Sequence, residues 1–339
     1  MSNYYDIVFL TYSPAFYKLN LFNEIAKRRK IFVIFTCQGA KRRNSDFYNG
    51  LYDFEFILFN NNNKIKQLAW LCRFLKKNHY KNLIIGGWRS VYMWLAILLS
   101  PAKKNSIVVE SSYLESSKNG FRGYIKKIFL KGINKAYVPG ESNKKLLQEL
   151  HFNKQIVKTM GVGIFNIVEQ PVYVEKKEVK NFLYVGRLSE EKNLELLIKV
   201  FNELPNLKLN IIGFGPLEQD LCSKSSMNTI FWGAINNKDL SVIYQSNDVF
   251  ILPSIYEPWG LVIEEALNNG LPVIVSNRVG CVEELINEKN GIVFPFNSHC
   301  GLREAVLKMT NLEFYNCLRK NISENDFNLS AENQINTYI

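Results

Sequence analysis

Residues 248–276 read "DVFILPSIYEPWGLVIEEALNNGLPVIVS". "DVFILP" and "LPVIVS" are apolar runs of strand length, and "GLVIEEAL" between them has helical spacing, with its first turn at Gly260 to Val262. An apolar strand, a helix and a second apolar strand describe a β-α-β unit, whose strands are parallel and covered on both faces. The same grammar runs outward in both directions. "NFLYVG" (181–186), "KLNIIG" (208–213), "NTIFWG" (228–233) and "GIVF" (291–294) are further strands of the second half. In the first half "YDIVFLTY" (5–12), "IFVIFTC" (31–37), "FEFILF" (54–59), "NLIIGG" (82–87), "NSIVVES" (105–111) and "KAYVPG" (135–140) alternate with helical patterns at 19–29, 65–78 and 144–150. Between the halves, residues 166–181 ("NIVEQPVYVEKKEVKN") lack periodicity and contain Pro171, as a connector does. The expectation is an α/β protein of two doubly wound, Rossmann-like domains, with a ligand crevice at the strand C-termini, between the domains.

A chain of 339 residues is long enough for two cores, and 47% apolar with 22% charged residues is ordinary for a globular protein. The six cysteines form no C-x-x-C pair and no ligand-like cluster, so they read as reduced thiols of a cytosolic protein. The start "MSNYYDIVFLTY" has no basic segment ahead of its apolar run, so no signal peptide is expected. "SVYMWLAILLSPA" (90–102) falls short of the ~20 residues that a membrane span needs and reads as a buried or interfacial helix. Charge divides unevenly. Residues 1–165 carry 27 basic and 9 acidic side chains, net +18, whereas the remainder is net −7. A surface so basic suits phosphate-rich partners: nucleic acid, an anionic membrane, or a lipid diphosphate.

Several residues carry candidate chemistry. In "YVGRLSEEKN" Arg187 and Lys192 follow a strand end, where two cations can clamp a diphosphate. In "IIGFGP" Gly213 and Gly215 allow a close approach of backbone to a ligand, but Glu218 replaces the third glycine of the G-x-G-x-x-G fingerprint, which disfavours a hydride-transfer cofactor. The N–H groups of Gly260, Leu261 and Val262 open a helix and can receive an anion. Glu257 before that turn and Glu265 inside the helix can accept hydrogen bonds from sugar and ribose hydroxyls, since each carboxylate offers two oxygens to a vicinal diol.

Taken together, "VGRLSEEKN", "IIGFGP", "FWGAINNKDLSVIYQSNDVFILPS", "YEPWGLVIEEALNNGLPVIVSN" and "VEELINEKNGIVF" resemble the family 4 group of retaining glycosyltransferases of GT-B fold, densely from Phe182 to Phe294. The resemblance implies two Rossmann-like domains facing across a deep cleft: an acceptor-side domain over 1–165, a nucleotide-sugar domain over 166–311, and a helical segment over 312–339 crossing back to the first. It implies that Arg187 and Lys192 hold the donor diphosphate, Glu257 the transferred sugar and Glu265 the ribose, while residues near Gly233 to Ile235 border the base. It also implies retention of anomeric configuration, the leaving diphosphate helping to activate the acceptor hydroxyl, with no protein nucleophile.

The first half matches that family less sharply. "YSPAFYKLNLF" resembles a variant opening loop, in which Tyr17 and Lys18 are candidates to contact acceptor or donor phosphate, beside packing and solvated surface as the other readings. Where many relatives place a histidine, "NSIVVESSY" has Glu110 and Ser111, and Glu110 is the expected substitute. The chain contains no D-x-D, so no metal is expected, and the only small molecule implied is the donor itself, a nucleoside-diphosphate sugar of UDP type. In the basic pattern "NKIKQLAWLCRFLKKNHYKN" the apolar side can lie on a bilayer or pack on the sheet; with "RGYIKKIFLKGINK" and the net charge, peripheral attachment to the cytoplasmic face of a bacterial membrane is expected. The acceptor expected there is a lipid-diphosphate-linked glycan of a surface polysaccharide such as lipopolysaccharide, O-antigen or capsule. Two other readings stand beside this one: a nucleotide-sugar epimerase of the same fold, and a non-catalytic basic protein binding nucleic acid or membrane. The first predicts interconversion of nucleotide sugars without acceptor. The second predicts salt-sensitive oligonucleotide binding indifferent to Glu257, although no aromatic-basic nucleic-acid motif is visible.

Overall fold

A computed structural model describes residues 2–39, 45–60, 63–165 and 170–339. The chain divides into two compact units, Met1–Asn166 with Leu329–Ile339, and Ile167–Asn328.

In the first unit the strands are β1 (Tyr4–Thr11), β2 (Ile31–Phe35), β3 (Glu55–Leu58), β4 (His79–Ile85), β5 (Asn105–Val108), β6 (Lys135–Val138) and β7 (Gln155–Lys158). They lie in the order β3-β2-β1-β4-β5-β6-β7, and every pairing is parallel. Alternate residues of each strand feed two cores. Val8, Leu10, Leu83, Ile85 and Ile107 point into one, with Leu71, Phe74 and Leu75 of the helix Lys64–Lys77. Ile7, Phe9, Val33 and Phe35 point into the other, with Leu19, Phe22 and Ile25 of the helix Phe16–Ala26. This two-sided burial is why the strands read as unbroken apolar runs.

The second unit holds β8 (Asn181–Val185), β9 (Lys208–Ile212), β10 (Thr229–Gly233), β11 (Val249–Leu252), β12 (Val273–Ser276) and β13 (Gly291–Phe294), again all parallel, in the order β10-β9-β8-β11-β12-β13. Both sheets therefore reverse their strand order once, between β1 and β4 and between β8 and β11. Loops diverge at these two points, leaving a crevice at the strand C-termini.

Two features differ from the sequence reading, and a third decides between its alternatives. The edge strand β7 was not anticipated. The amphipathic helix Lys64–Lys77 turns its apolar face onto the first sheet, so that face is not presented to a bilayer. In the C-terminal part, the helix Leu312–Ser323 packs within the second unit, where the Tyr315 hydroxyl donates to Asp248 O at 2.9 Å and Asn316 exchanges bonds with the Lys176 backbone. Only residues from Leu329 onward join the first unit. Residues 170–180 have no regular structure, and the rest of the expected connector, 166–169, lies outside the described residues.

Candidate functional site

The second sheet's reversal point brings together the loop after β8 and the loop after β11. After Val185 the chain turns through Gly186 and Arg187, makes one 3-10 turn at Glu190–Lys192, and enters the helix Leu194–Asn202. Asn193 joins the two helical pieces in the left-handed region (φ 58°). Its side-chain amide donates to Pro253 O at 3.2 Å and Phe296 O at 2.9 Å, tying the β8 loop to the loops after β11 and β13. Ile255 N donates to Glu191 O at 2.9 Å, a second tie. Asn193 was absent from the residues singled out in the sequence; a side chain polar enough to stitch three loops, at a helix start, is the signal that marks it.

These ties bring Lys192 into direct contact with Glu257, 65 positions later in the chain. Glu257 itself is held in extended conformation: its N–H donates to Arg278 O at 3.2 Å and its carbonyl accepts from Gly280 N at 2.9 Å. Arg187 bonds Glu191 and, through Nε, Ser189 Oγ at 3.1 Å, while Ser189 Oγ donates to Glu191 at 2.8 Å. The two expected diphosphate ligands therefore stand side by side at one strand end, each already paired with a carboxylate. Beneath them lies Tyr184, fully buried, whose hydroxyl donates to Arg187 O at 2.9 Å. Burial, and then the charges of Glu257 and Glu191, push the phenol well above its usual pKa, so it remains a neutral donor.

The helix Leu261–Asn268 begins immediately after this cluster. Gly260, its N-cap, has φ 102°, and a Cβ there would meet Val279 Cγ1 at 2.7 Å, so both backbone and space require glycine. Ile263 N returns to Gly260 O at 2.9 Å, whereas the Leu261 and Val262 N–H groups have no backbone acceptor among the described residues. With the helix dipole they form the positive end of a helix that starts a few residues after Glu257. One turn on, Glu265 accepts a 2.9 Å bond from Tyr244. Its neighbour Glu264 accepts from Trp259 Nε1 and is pushed up to about 8, first by burial, with the Trp259 bond opposing and the Glu265 charge assisting.

Gly213 and Gly215 stand where neighbouring backbone leaves no room for a side chain. A Cβ on Gly213 would lie 1.8 Å from Gly186 O, and one on Gly215 2.2 Å from Leu188 O. Leu188 N donates to Phe214 O, and Gly213 N to Gly233 O, at 3.0 and 2.8 Å. Backbone packing among the loops after β8, β9 and β10 requires the glycines. Gly233 (φ 67°) would meet nothing with a Cβ, so its surroundings are open, and Ile235 follows two residues on.

The remaining candidates lie in the first unit, at the C-terminal edge of its own sheet. Lys18 Nζ and Glu110 Oε1 form an ion pair at 2.7 Å. Burial works against the Lys18 charge, but Glu110 outweighs it with help from Tyr17, so the ammonium is held above its usual pKa. The Tyr17 ring is buried against Phe16, Phe47 and Phe165, a packing role. Among the described residues no group of three or more His, Cys, Asp or Glu is placed to hold a metal ion. No helix among them is long and apolar enough to cross a membrane.

Residues 167–328 match the family model for glycosyl transferases group 1. Among curated proteins, the sulfoquinovosyl transferase SQD2 of Arabidopsis thaliana is 40% identical over 117 residues, 33% of this chain and 23% of that protein. The first three curated relatives are matched over only 23%, 40% and 64% of their own lengths. Among solved structures, the lipopolysaccharide outer core galactosyltransferase WaaB aligns with TM-score 0.73 at 15% identity, covering 98% of this chain and 99% of that one. Anabaena Alr3699/HepE in complex with UDP-glucose aligns with TM-score 0.73 at 13% identity, over 98% and 99%. Likeness at such identities concerns the fold, which is the two-sheet GT-B architecture.

Proposed function

We propose, from the membership of residues 167–328 in the glycosyl transferases group 1 family, that the chain transfers a sugar from a UDP-sugar to a membrane-linked glycan, with retention of configuration. The observation that carries this reading is the Lys192–Glu257 pair, with Glu257 a few residues before the positive end of the helix Leu261–Asn268. A diphosphate entering there offers Lys192 and Arg187 stronger anions than their present carboxylates and meets the Leu261 and Val262 N–H groups. Glu257, displaced from Lys192, turns its oxygens to the sugar hydroxyls, and Glu265 serves the ribose. The cations stabilise charge that develops on the leaving diphosphate, an electrostatic contribution larger in the transition state than in the ground state. The diphosphate, on the same face as the acceptor, takes the hydroxyl proton. Glu110, tethered by Lys18, is the acceptor-side carboxylate.

UDP is the favoured donor because solved proteins of this fold hold UDP or UDP-glucose. Calorimetric titration with UDP, GDP, ADP and CMP tests the donor. Selective binding of UDP that Glu265→Ala weakens supports the reading; no binding to any of them refutes it.

Membrane attachment is supported by the helix that carries the second of the two basic patterns. Gly120–Lys131 exposes Phe121 and Tyr124, at 77% and 63%, and Ile128. These stand among Lys118, Arg122, Lys127 and Lys131, the composition of a helix lying at an anionic interface.

A further inference from the structure

The first sheet has a reversal point of its own, and the donor site does not use it. β1 continues to β2 and β3 on one side, whereas β4 opens the other side, so the loops after β1 and β4 part. Between them lies a cavity of about 500 Å³, lined among others by Tyr12, Thr36, Lys64, Arg89, Ser90 and Tyr92. Two helices begin at this cavity. Lys64 is the first residue of Lys64–Lys77, and Ser90 is the N-cap of Val91–Leu99, accepting from Tyr92 N at 3.3 Å. Both helices turn their positive ends toward the space.

Lys64 and Arg89 add two full charges, and the lining residues include no carboxylate. A third cation stands behind: Lys126 is buried, with Nζ bonded to Ser116 Oγ and Ser117 O at 2.6 Å each. Burial, and next the Arg89 charge, lower the Lys126 pKa, with Glu115 opposing. Neutral donors complete the set. The phenol of Tyr12 is raised in pKa by burial, with the Arg89 charge and backbone N–H opposing, so it keeps its proton and can donate into the cavity. The Ser90 hydroxyl already accepts the Tyr92 N–H and has its own proton to offer.

Two cations, two helix N-termini and hydroxyl donors around one carboxylate-free cavity match a multiply charged, multi-oxygen anion better than a single carboxylate. We infer that this cavity binds a phosphoryl group carried by the acceptor, as a phosphate or diphosphate ester. Assigning it to the acceptor rests on the transfer reading above; the anion site itself does not.

The test uses the full chain with UDP present at saturation, so that the donor site is occupied, and titrates inorganic pyrophosphate and farnesyl diphosphate by calorimetry. The expected result is that both bind, and that the paired substitution Lys64→Gln with Arg89→Gln weakens both at least about tenfold while UDP affinity stays unchanged, since each charged hydrogen bond contributes of that order. If farnesyl diphosphate binds about tenfold tighter than pyrophosphate, apolar surface beside the anion is in use and the acceptor is lipid-linked; equal affinities identify a soluble phosphorylated glycan. Diphosphate binding that survives the substitutions, or no diphosphate binding at all, overturns the inference. Failure of UDP to bind overturns the donor reading separately. Should the paired variant melt early, Lys64→Gln alone, at an exposed helix start, carries the same comparison.

Discussion

Lys192 and Glu257 are each other's partner in the structure, so under the proposed function a diphosphate replaces a carboxylate that the protein already supplies. The two substitutions therefore act in opposite directions on binding. Lys192→Ala removes a charged donor and should weaken UDP by ~1.5–3 kcal/mol. Glu257→Ala removes the competitor, so UDP should bind as tightly as before or tighter, while transfer collapses because the sugar hydroxyls lose their acceptor. Titration with UDP beside a turnover assay separates the two, and equal losses of binding and transfer in Glu257→Ala would move that carboxylate onto the nucleotide. Glu264, one turn into the helix, has a pH consequence. Its folded pKa of about 8 lies above the unfolded value, so the folded state holds a proton that the unfolded state releases. That contribution is whole below the unfolded carboxyl range and is lost as pH rises toward 8. Glu264→Gln keeps the oxygen that accepts from Trp259 and cannot ionise. Thermal melts from pH 5 to 9 should decline in the wild type and flatten in the variant; parallel slopes would show that Glu264 does not titrate there.

At the scale of elements, the strands were legible because each is buried on both faces and its composition says so. β7 was not, because it sits at the sheet edge with exposed ends and offers only "QIVK". The helix Lys64–Lys77 shows a limit of a different kind. Its amphipathic pattern was plain, but a sheet and a bilayer ask for the same apolar stripe, and only the fold shows Leu71, Phe74 and Leu75 facing the sheet. The ligand-side geometry was likewise half legible. Strand ends and the helix start could be placed, yet the contact between Lys192 and Glu257 and the packing cause of Gly213 depend on residues distant in the chain. Gly120–Lys131, by contrast, leaves Phe121, Tyr124 and Ile128 facing solvent. If it docks on a membrane, Phe121→Ser with Tyr124→Ser should release the protein from vesicles containing anionic phosphatidylglycerol, with UDP affinity unchanged. Wild-type binding should also weaken as salt rises from 0.05 to 0.5 M, because the Debye length falls below ~10 Å above 0.1 M. Co-sedimentation that ignores both changes would sink the membrane reading.

Over the whole molecule, the chain leaves the first unit near residue 166 and re-enters it at Leu329. The returning segment is part of that unit's core. Ile335 and Tyr338 are buried, and the Tyr338 ring stacks on Tyr137 at 4.7 Å and meets Phe9 at 6.2 Å. Arg28 grips Glu332 through two bonds of 2.6 and 2.7 Å. Burial, Tyr137 and Glu110 raise the Tyr338 phenol against an opposing Thr159 bond, and the segment belongs to the same unit as the Lys18–Glu110 pair. The proposed donor site lies in the other unit, which makes the consequences separable. Tyr338→Ala should destabilise the first unit by ~3–5 kcal/mol, as large aromatic truncations in cores do. It should reduce transfer, because the unit that carries Lys18 and Glu110 loses stability, yet leave UDP affinity where it was. Tyr338→Phe keeps the stacked ring and should restore most of both losses. The decisive comparison is calorimetry with UDP against a melting curve on the same two variants. If UDP binding fell in step with stability, the two units would fold as one cooperative body, and the acceptor side would have no independent hold on the reaction.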